Sequence, residues 1–408
     1  MRMHKWTPVF VAITIALTCS QAGAQGSAGP IPEKPSIVPQ IELDGTGIAT
    51  LNYQTPRPAP PPTGSGSTTD LDFADSSLLL GISQRLYHGG IGSLVLGTVT
   101  TGESEAVSKT GLLLSQLYLD YQTQPFEAYI GRANTPTHLF DFPTLRGDDL
   151  NEFVNLPNPF SNGAIADETR YGNVAAVEWN SHLRNFFNLH VQHLLQTAAP
   201  GAGQTGINSY GLTFRYEAPP ALESIVKIPF WGLGYEHQTI GSAQGGPADV
   251  LYGGIIYNIA PDPIHRFDLR LLDIYSFSNG LYSFTGFADT YRAAANSVAL
   301  SLRYLYALNG VPGYEVALTA GFRNYARVHD ANTFALALTG AKRLGEGFDL
   351  VLQYIYQHRG GAYASAVGQP KDENRFEIGF VFHFQNIFNQ HIGPRRTLQN
   401  LQHQYIPE

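Results

Sequence analysis

Along the chain, apolar positions alternate with polar or small ones at a period of two. In Arg375 to Phe384, Phe376, Ile378, Phe380, Phe382 and Phe384 fall on one side and Arg375, Glu377, Gly379, Val381 and His383 on the other. A β-strand sends successive side chains to opposite faces, so this period predicts strands. The same two-sidedness marks Val298, Leu300, Leu302, Tyr304 and Tyr306 against Ser297, Ala299, Ser301 and Arg303. It recurs with Phe348, Leu350, Leu352, Tyr354 and Tyr356 against Asp349, Gln353 and Gln357. Sixteen such segments are expected, at 41–54, 70–87, 91–101, 110–122, 125–133, 169–181, 185–196, 206–217, 224–239, 248–260, 264–278, 291–307, 312–327, 332–344, 347–358 and 373–385. Segments 248–260 and 264–278 are ambiguous in parity, as strands buried in a subunit interface would be.

One greasy wall and one wall that tolerates charge is how a strand between lipid and a wet lumen must read. The predicted fold class is therefore all-β, a transmembrane antiparallel up-and-down β-barrel of about 16 strands. The connections agree with this. Short turns (88–90, 122–124, 181–184, 218–223, 261–263, 307–311 and 345–346) alternate with longer loops at 55–69, 102–109, 134–168, 197–205, 240–247, 279–290 and 359–372, and 328–331 is short. An even strand count puts both ends of the barrel on the periplasmic side.

The ends of the chain set the compartment. Residues 1–24 join Arg2, His4 and Lys5 to a short apolar run, Val9 to Leu17, and end in Ala22-Gly-Ala24, the layout of a cleavable secretory signal. The only cysteine, Cys19, lies within it, so a processed chain has no disulfide, thiolate metal site or cysteine nucleophile. Pro30, Pro32, Pro35 and Pro39 make 25–40 an extended periplasmic leader. Residues 386–408 are expected as a periplasmic tail, either an overhang or a segment that binds peptidoglycan, a periplasmic partner or the lumen mouth. No later run reaches 18 apolar residues, which excludes ordinary spanning helices. Charged residues are only 14% of the chain, against roughly 25% in soluble domains, while Gly, Tyr and Phe are abundant. The net charge of −8 argues against a nucleic-acid partner.

Glu377, Gly379, Phe382 and Phe384 resemble the closing-strand signal by which outer-membrane barrels are inserted. That resemblance implies an encounter with the barrel assembly machinery. As a pattern of strands and loops, residues 41–385 resemble the sixteen-stranded porin-like barrels of Gram-negative bacteria. The likeness implies the cell outer membrane, contact with its lipid and lipopolysaccharide, and a homotrimer as one assembly open to the chain. It also implies that the third outer loop, 134–168, folds into the barrel and narrows the pore. The short loop motif of general porins is not found.

Within that loop Phe140, Phe142, Leu145, Leu150 and Phe153 are placed to pin it to the wall. Asp141, Arg146, Asp148, Asp149 and Glu152 are then left for the constriction. Strand parity puts Arg170, Arg215, Arg270, Arg303, Arg323 and Arg375 on the facing pore wall. Acids against a basic wall would set a transverse field that sorts solutes by charge and dipole. The plainer alternative pairs Arg146 with Asp148 or Asp149 in a solvated turn. His190 and His193 are three apart and point to opposite faces of a strand, so no shared metal is expected. No nucleophile with a neighbouring base, phosphate-binding loop, dinucleotide fingerprint or haem motif is found, so neither an enzyme nor a cofactor is expected. Passive diffusion of small hydrophilic solutes or ions is the expected function. A substrate-specific or polymer-export barrel, and a structural barrel sheathing a partner, are the alternatives.

Overall fold

The computed structural model describes residues 38–55, 68–73, 76–86, 90–101, 111–123, 125–145, 150, 153, 171–181, 184–193, 207, 209–219, 222–238, 248–262, 264–276, 282–285, 290–293, 295–308, 311–326, 329–367 and 369–389. The expected signal, nearly all of the leader, and the tail beyond residue 389 lie outside them.

The strands in chain order are β1 (Gln40–Thr55), β2 (Thr68–Asp72), β3 (Ser77–Arg85), β4 (Ile91–Thr101), β5 (Gly111–Thr123), β6 (Phe126–Asn134), β7 (Tyr171–Asn180), β8 (Asn185–His193), β9 (Ser209–Glu217) and β10 (Phe230–Gln238). They continue with β11 (Ala248–Ala260), β12 (His265–Ser276), β13 (Tyr282–Thr285), β14 (Thr290–Ala293), β15 (Ala295–Leu308), β16 (Val311–Tyr325), β17 (Thr333–Gly345), β18 (Phe348–Arg359) and β19 (Asp372–Phe388). A short helix, α1 (Gly361–Val367), precedes the last strand.

Each strand of the main sheet pairs antiparallel with its neighbour, and β1 pairs with β19 from Ile41↔Phe388 to Thr55↔Asn374, closing the barrel. Both β2 and β3 pair with β1, so they form one interrupted stave, and sixteen staves make the wall. At the interruption Ser76 Oγ accepts from Ile48 N at 2.9 Å and faces Ile48 O at 3.2 Å, a side chain standing in for a ladder pair. At the seam the Phe384 ring lies over Gly45, where a Cβ would stand 2.5 Å from the ring. No helix among the described residues is long and apolar enough to cross a membrane.

The alternation read from the sequence is the in-and-out alternation of this wall. Leu300, Leu318, Leu352, Phe376, Phe380 and Phe382 are exposed on the outer surface. Ser301, Thr319, Gln353 and Glu377, one residue away, are buried within. An outer surface of Leu, Val, Phe and Tyr is stable against hydrocarbon and costly against water.

Several boundaries differ from the expected ones. β10 begins at Phe230 rather than near 224, because residues 222–229 form a turn whose Glu223 and Val226 carbonyls accept from Asn258 Nδ2 at 2.8 and 2.6 Å. β19 continues to Phe388, into the segment expected as tail, because β1 pairs with it that far. The β13–β14 hairpin, paired apart from the barrel, takes up part of the outer connection expected at 279–290 and the first residues of the strand expected at 291–307, and α1 lies in the connection at 359–372. At the periplasmic turn before β12, Asp262 accepts the backbone N–H groups of Ile264 and His265 at 2.6 and 3.0 Å. Those bonds hold its carboxyl below the usual range.

The ambiguous pair, β11 and β12, is apolar on its inner face because another segment of the chain packs there. Val250, Tyr252, Leu272 and Ile274 point into the barrel and are buried against Phe142, Leu150 and Phe153, which arrive from the connection after β6. A hydrophobic core thus sits inside the lumen.

Candidate functional site: the lumen and its inward segment

The connection leaving β6 crosses the lumen to the far wall. Its first residues stay close to home: the Pro136 carbonyl accepts from Thr213 Oγ1 of β9 at 3.3 Å. Further along, each apolar side chain rests where the wall has a glycine. Leu139 lies against Gly232 of β10, Phe140 against Gly254 of β11, Phe153 against Gly321 of β16 and Leu145 against Gly379 of β19. A Cβ at Gly254 would come within 2.5 Å of the Phe140 ring, and one at Gly379 within 2.6 Å of Leu145. These glycines are notches, and any larger residue would push the segment off the wall. Phe140 also stacks edge-on with Phe230, centroids 5.3 Å apart.

Polar contacts fix the same segment. Leu145 N donates to Gln353 Oε1 of β18 at 2.7 Å, and that oxygen also accepts from Thr339 Oγ1 at 3.0 Å. Arg270 Nη1 of β12 donates to the Asp141 carbonyl at 2.5 Å. The Asp141 carboxylate meets His138 Nε2 at 2.9 Å. Of the constriction candidates, Asp141 is thus in the lumen and held at both backbone and side chain. Arg146, Asp148, Asp149 and Glu152 lie outside the described residues.

The described wall arginines face inward, and Arg215, Arg270, Arg303 and Arg375 are each matched by acids, so the basic wall expected from parity is a salted one. Arg303 Nε donates to Asp268 Oδ2 at 2.8 Å, and Arg266 and Arg270 approach the same carboxylate at 3.3 and 3.4 Å. Arg303 also faces Glu315 at 3.6 Å. Arg215 bonds Glu178 at 2.8 Å and Glu217 at 2.7 Å, and its guanidinium lies over the Phe186 ring. Arg375 is 3.7 Å from Glu377. Arg323 is fully buried near the outer end of β16, opposite Ser297 and Thr333. Arg170 lies outside the described residues. Parity found the arginines, and the same parity places Asp268, Glu217 and Glu377 two residues from Arg270, Arg215 and Arg375 on the same face, whereas Asp268 and Glu315 beside Arg303 and Glu178 beside Arg215 lie on other strands, where a single strand's pattern gives no sign of pairing.

Parity could have found more. Glu42 and Asp44 of β1, Asp120 of β5, Glu127 of β6 and Glu178 of β7 all face the lumen. With Arg215, Arg266, Arg270, Arg303 and Arg343, they lie no more than five residues from the periplasmic ends of their strands. Among the described strand residues of β1 through β8, Arg85 at the end of β3 is the only lysine or arginine on the lumen face, and Arg184, in the turn before β8, lies over the lumen-facing Phe186 ring. The circumference is therefore uneven, with an acidic arc on β1 to β7 and, on β9 to β19, an arginine arc in which the arginines are interleaved with the acids that pair them.

Glu236 is enclosed near the outer end of β10 by His190 at 2.7 Å, Gln192 at 2.6 Å and Ser209. Here Ser209 bonds the carboxylate rather than the imidazole, which is not the order in which a base activates a hydroxyl. The side chain of His193 is outside the described ones. Among the described residues no group of three or more His, Cys, Asp or Glu could hold a metal ion. In β19, Glu377 and Gly379 face the lumen and Phe382 and Phe384 face outward, stacked at 5.9 Å.

No protein-family model and no curated protein matches the chain. Solved structures do. The outer-membrane channel DcaP of Acinetobacter baumannii superposes with a TM-score of 0.61 at 9% identity, covering 86% of this chain and 98% of that one. The anion-selective porin from Comamonas acidovorans gives 0.58 at 14% identity, covering 86% and 100%. OmpF of Salmonella typhi, in complex with daunomycin, gives 0.57 at 12% identity, covering 84% and 97%. The chain therefore has the closed antiparallel sixteen-stranded barrel fold of outer-membrane porins.

Proposed function

We propose that this protein is an outer-membrane channel for passive diffusion of small hydrophilic solutes or ions, narrowed by the segment that follows β6. The observation that carries this reading is the seating of Leu139, Phe140, Leu145 and Phe153 on four wall glycines inside a closed barrel. A segment pinned across the lumen sets the narrowest section of the path, and the narrowest section sets resistance and selectivity. The acidic arc facing the arginine arc imposes a transverse field at the periplasmic third, so solutes are sorted by charge and dipole as well as size. The similar folds include a porin described as anion-selective, and on one scaffold the lumen charges decide that preference. Asp148, Asp149, Glu152 and Arg146 belong to the same constriction in this reading. Glu377, Gly379, Phe382 and Phe384 form its assembly signal, and a trimer is its assembly.

A second reading, a narrow solute-specific channel, is favoured by one observation. Lumen-facing Asp120, Arg303, Arg323, Asp349 and Glu377 are nearly or fully buried, where the wall of a wide pore would be wet. Excising residues 139–155 and recording single channels in a planar bilayer tests both readings. The expected result is a large rise in conductance. Unchanged conductance would place the segment outside the conducting path and remove its role.

A further inference from the structure

Along one arc of the lumen wall, the outer ends of four adjoining strands present three hydroxyl groups and one guanidinium. Ser297 of β15 and Thr333 of β17 stand directly opposite Arg323 of β16 in their ladders, one on each side of it. Ser276 of β12 continues the row, two residues beyond Ile274, the ladder partner of Ser297. Strands spaced about 4.8 Å apart put Ser297 and Thr333 about 10 Å from each other, astride the guanidinium.

All four side chains belong to buried residues, yet Ser276 Oγ, Ser297 Oγ and Thr333 Oγ1 have no hydrogen-bond partner among the described residues. Other buried hydroxyls of the same wall are paired: Thr319 Oγ1 donates to Ser301 Oγ at 2.9 Å, and Ser93 Oγ to Ser83 Oγ at 2.8 Å. A buried hydroxyl that bonds nothing is destabilising, and three in one row mark a place where a partner is missing. That partner is not an acid of the same strands. β15 and β17 carry none, and Glu315, the only one of β16, lies eight residues toward the periplasm from Arg323.

Aromatic rings bound the row along the barrel axis. On its periplasmic side Phe153 of the inward segment sits on Gly321, two residues from Arg323. On its outer side Tyr325 packs against Tyr363 of α1, centroids 5.6 Å apart. Between them a charge-assisted bond counts for more than it does in open water. A guanidinium only donates, whereas a serine or threonine hydroxyl both donates and accepts. The centre of the row therefore suits an oxyanion, and its flanks suit hydroxyl groups that return a bond.

We infer that this row is a subsite for organic anions whose carboxylate carries hydroxyl groups on the adjoining carbons. The carboxylate meets Arg323, and the solute hydroxyls exchange bonds with Ser297, Thr333 and Ser276. The inference rests on reading the lumen as the solute path, and it puts the selective step just outside the constriction.

Titration calorimetry of the purified full-length protein in detergent tests this with three solutes: gluconate, with carboxylate and hydroxyls; acetate, with the carboxylate alone; and glucose, with hydroxyls alone. The expected result is one gluconate per barrel, bound at least tenfold more tightly than acetate or glucose. Ser297→Ala with Thr333→Val should bring gluconate down to the affinity of acetate. The same variant should lose its unheated electrophoretic band at no lower temperature than wild type, because neither hydroxyl has a protein bond to lose. A lower temperature would make the hydroxyls part of the wall's own support and overturn the inference. So would equal gluconate affinity in wild type and variant, equal affinity for all three solutes, or no binding of any, which would give the hydroxyls to water. Planar-bilayer records of the same preparation separate the two readings. Conduction without gluconate binding removes the subsite alone, and gluconate binding to a barrel that does not conduct removes the channel reading alone.

Discussion

Leu145 rests on Gly379, so a residue in the connection after β6 is seated on the inner face of the strand that closes the barrel. Gly379 reads in the sequence as part of a closing-strand pattern, and in the structure it is also a notch for the inward segment. Replacing it with Leu should therefore disturb conductance even in barrels that assemble. Leu145→Ala should cost about 2–5 kcal/mol of docking, the usual range for an emptied buried Leu site. Single-channel records of L145A are expected to flicker more than wild type, and quiet records would show that the segment is held without this contact.

The uneven circumference gives a prediction about ions. Asp120→Asn with Glu127→Gln should move the reversal potential toward anion preference. The shift should shrink between 0.1 M and 1 M salt as the screening length falls from roughly 10 Å to 3 Å. The same shift at both concentrations would mean that the acidic arc does not act through its field.

Asp268 holds three arginines together, and each of them loses a partner when it goes. Asp268→Ala should lower the temperature at which the unheated band is lost in electrophoresis. The cost is about 3–5 kcal/mol, as for other broken buried ion pairs. Arg303→Met with Asp268→Leu, which removes charges of both signs, should be milder than D268A alone. Equal losses in the two variants would show that packing, not charge, is at stake.

Of these features, the wall was largely legible in the sequence. β15, β18 and β19 alternate cleanly because their outer faces meet hydrocarbon and much of their inner faces is polar. β11 and β12 defeated the same reading because Val250, Tyr252, Leu272 and Ile274 line a lumen that another segment has made apolar. Periodicity reports the environment of a face, not which face it is. The apolar anchors Phe140, Phe142, Leu145, Leu150 and Phe153 were visible, but their seats were not. Gly232, Gly254, Gly321 and Gly379 lie 93 to 234 residues beyond the segment's own Leu139, Phe140, Phe153 and Leu145, a relation only the closed wall supplies. The β13–β14 hairpin and α1 lie in outer connections with no two-sided pattern to give them away.

At the seam, Phe384 over Gly45 joins the last strand to the first. Replacing Phe382 and Phe384 with Ser should reduce the heat-modifiable form in outer-membrane fractions, while deleting 390–408 should leave it nearly unchanged. Loss of the folded form on tail deletion alone would place the assembly signal beyond β19.

The bond from Leu145 N to Gln353 spans 208 positions of the chain. The bond needs β18 in place, and the contact with Gly379 needs β19. Contacts this distant in sequence are late and slow to form. The constriction is accordingly expected to form late in the protein's maturation. A barrel halted before closure has no defined pore size, and the interval between closure and docking is a time when the channel stands open.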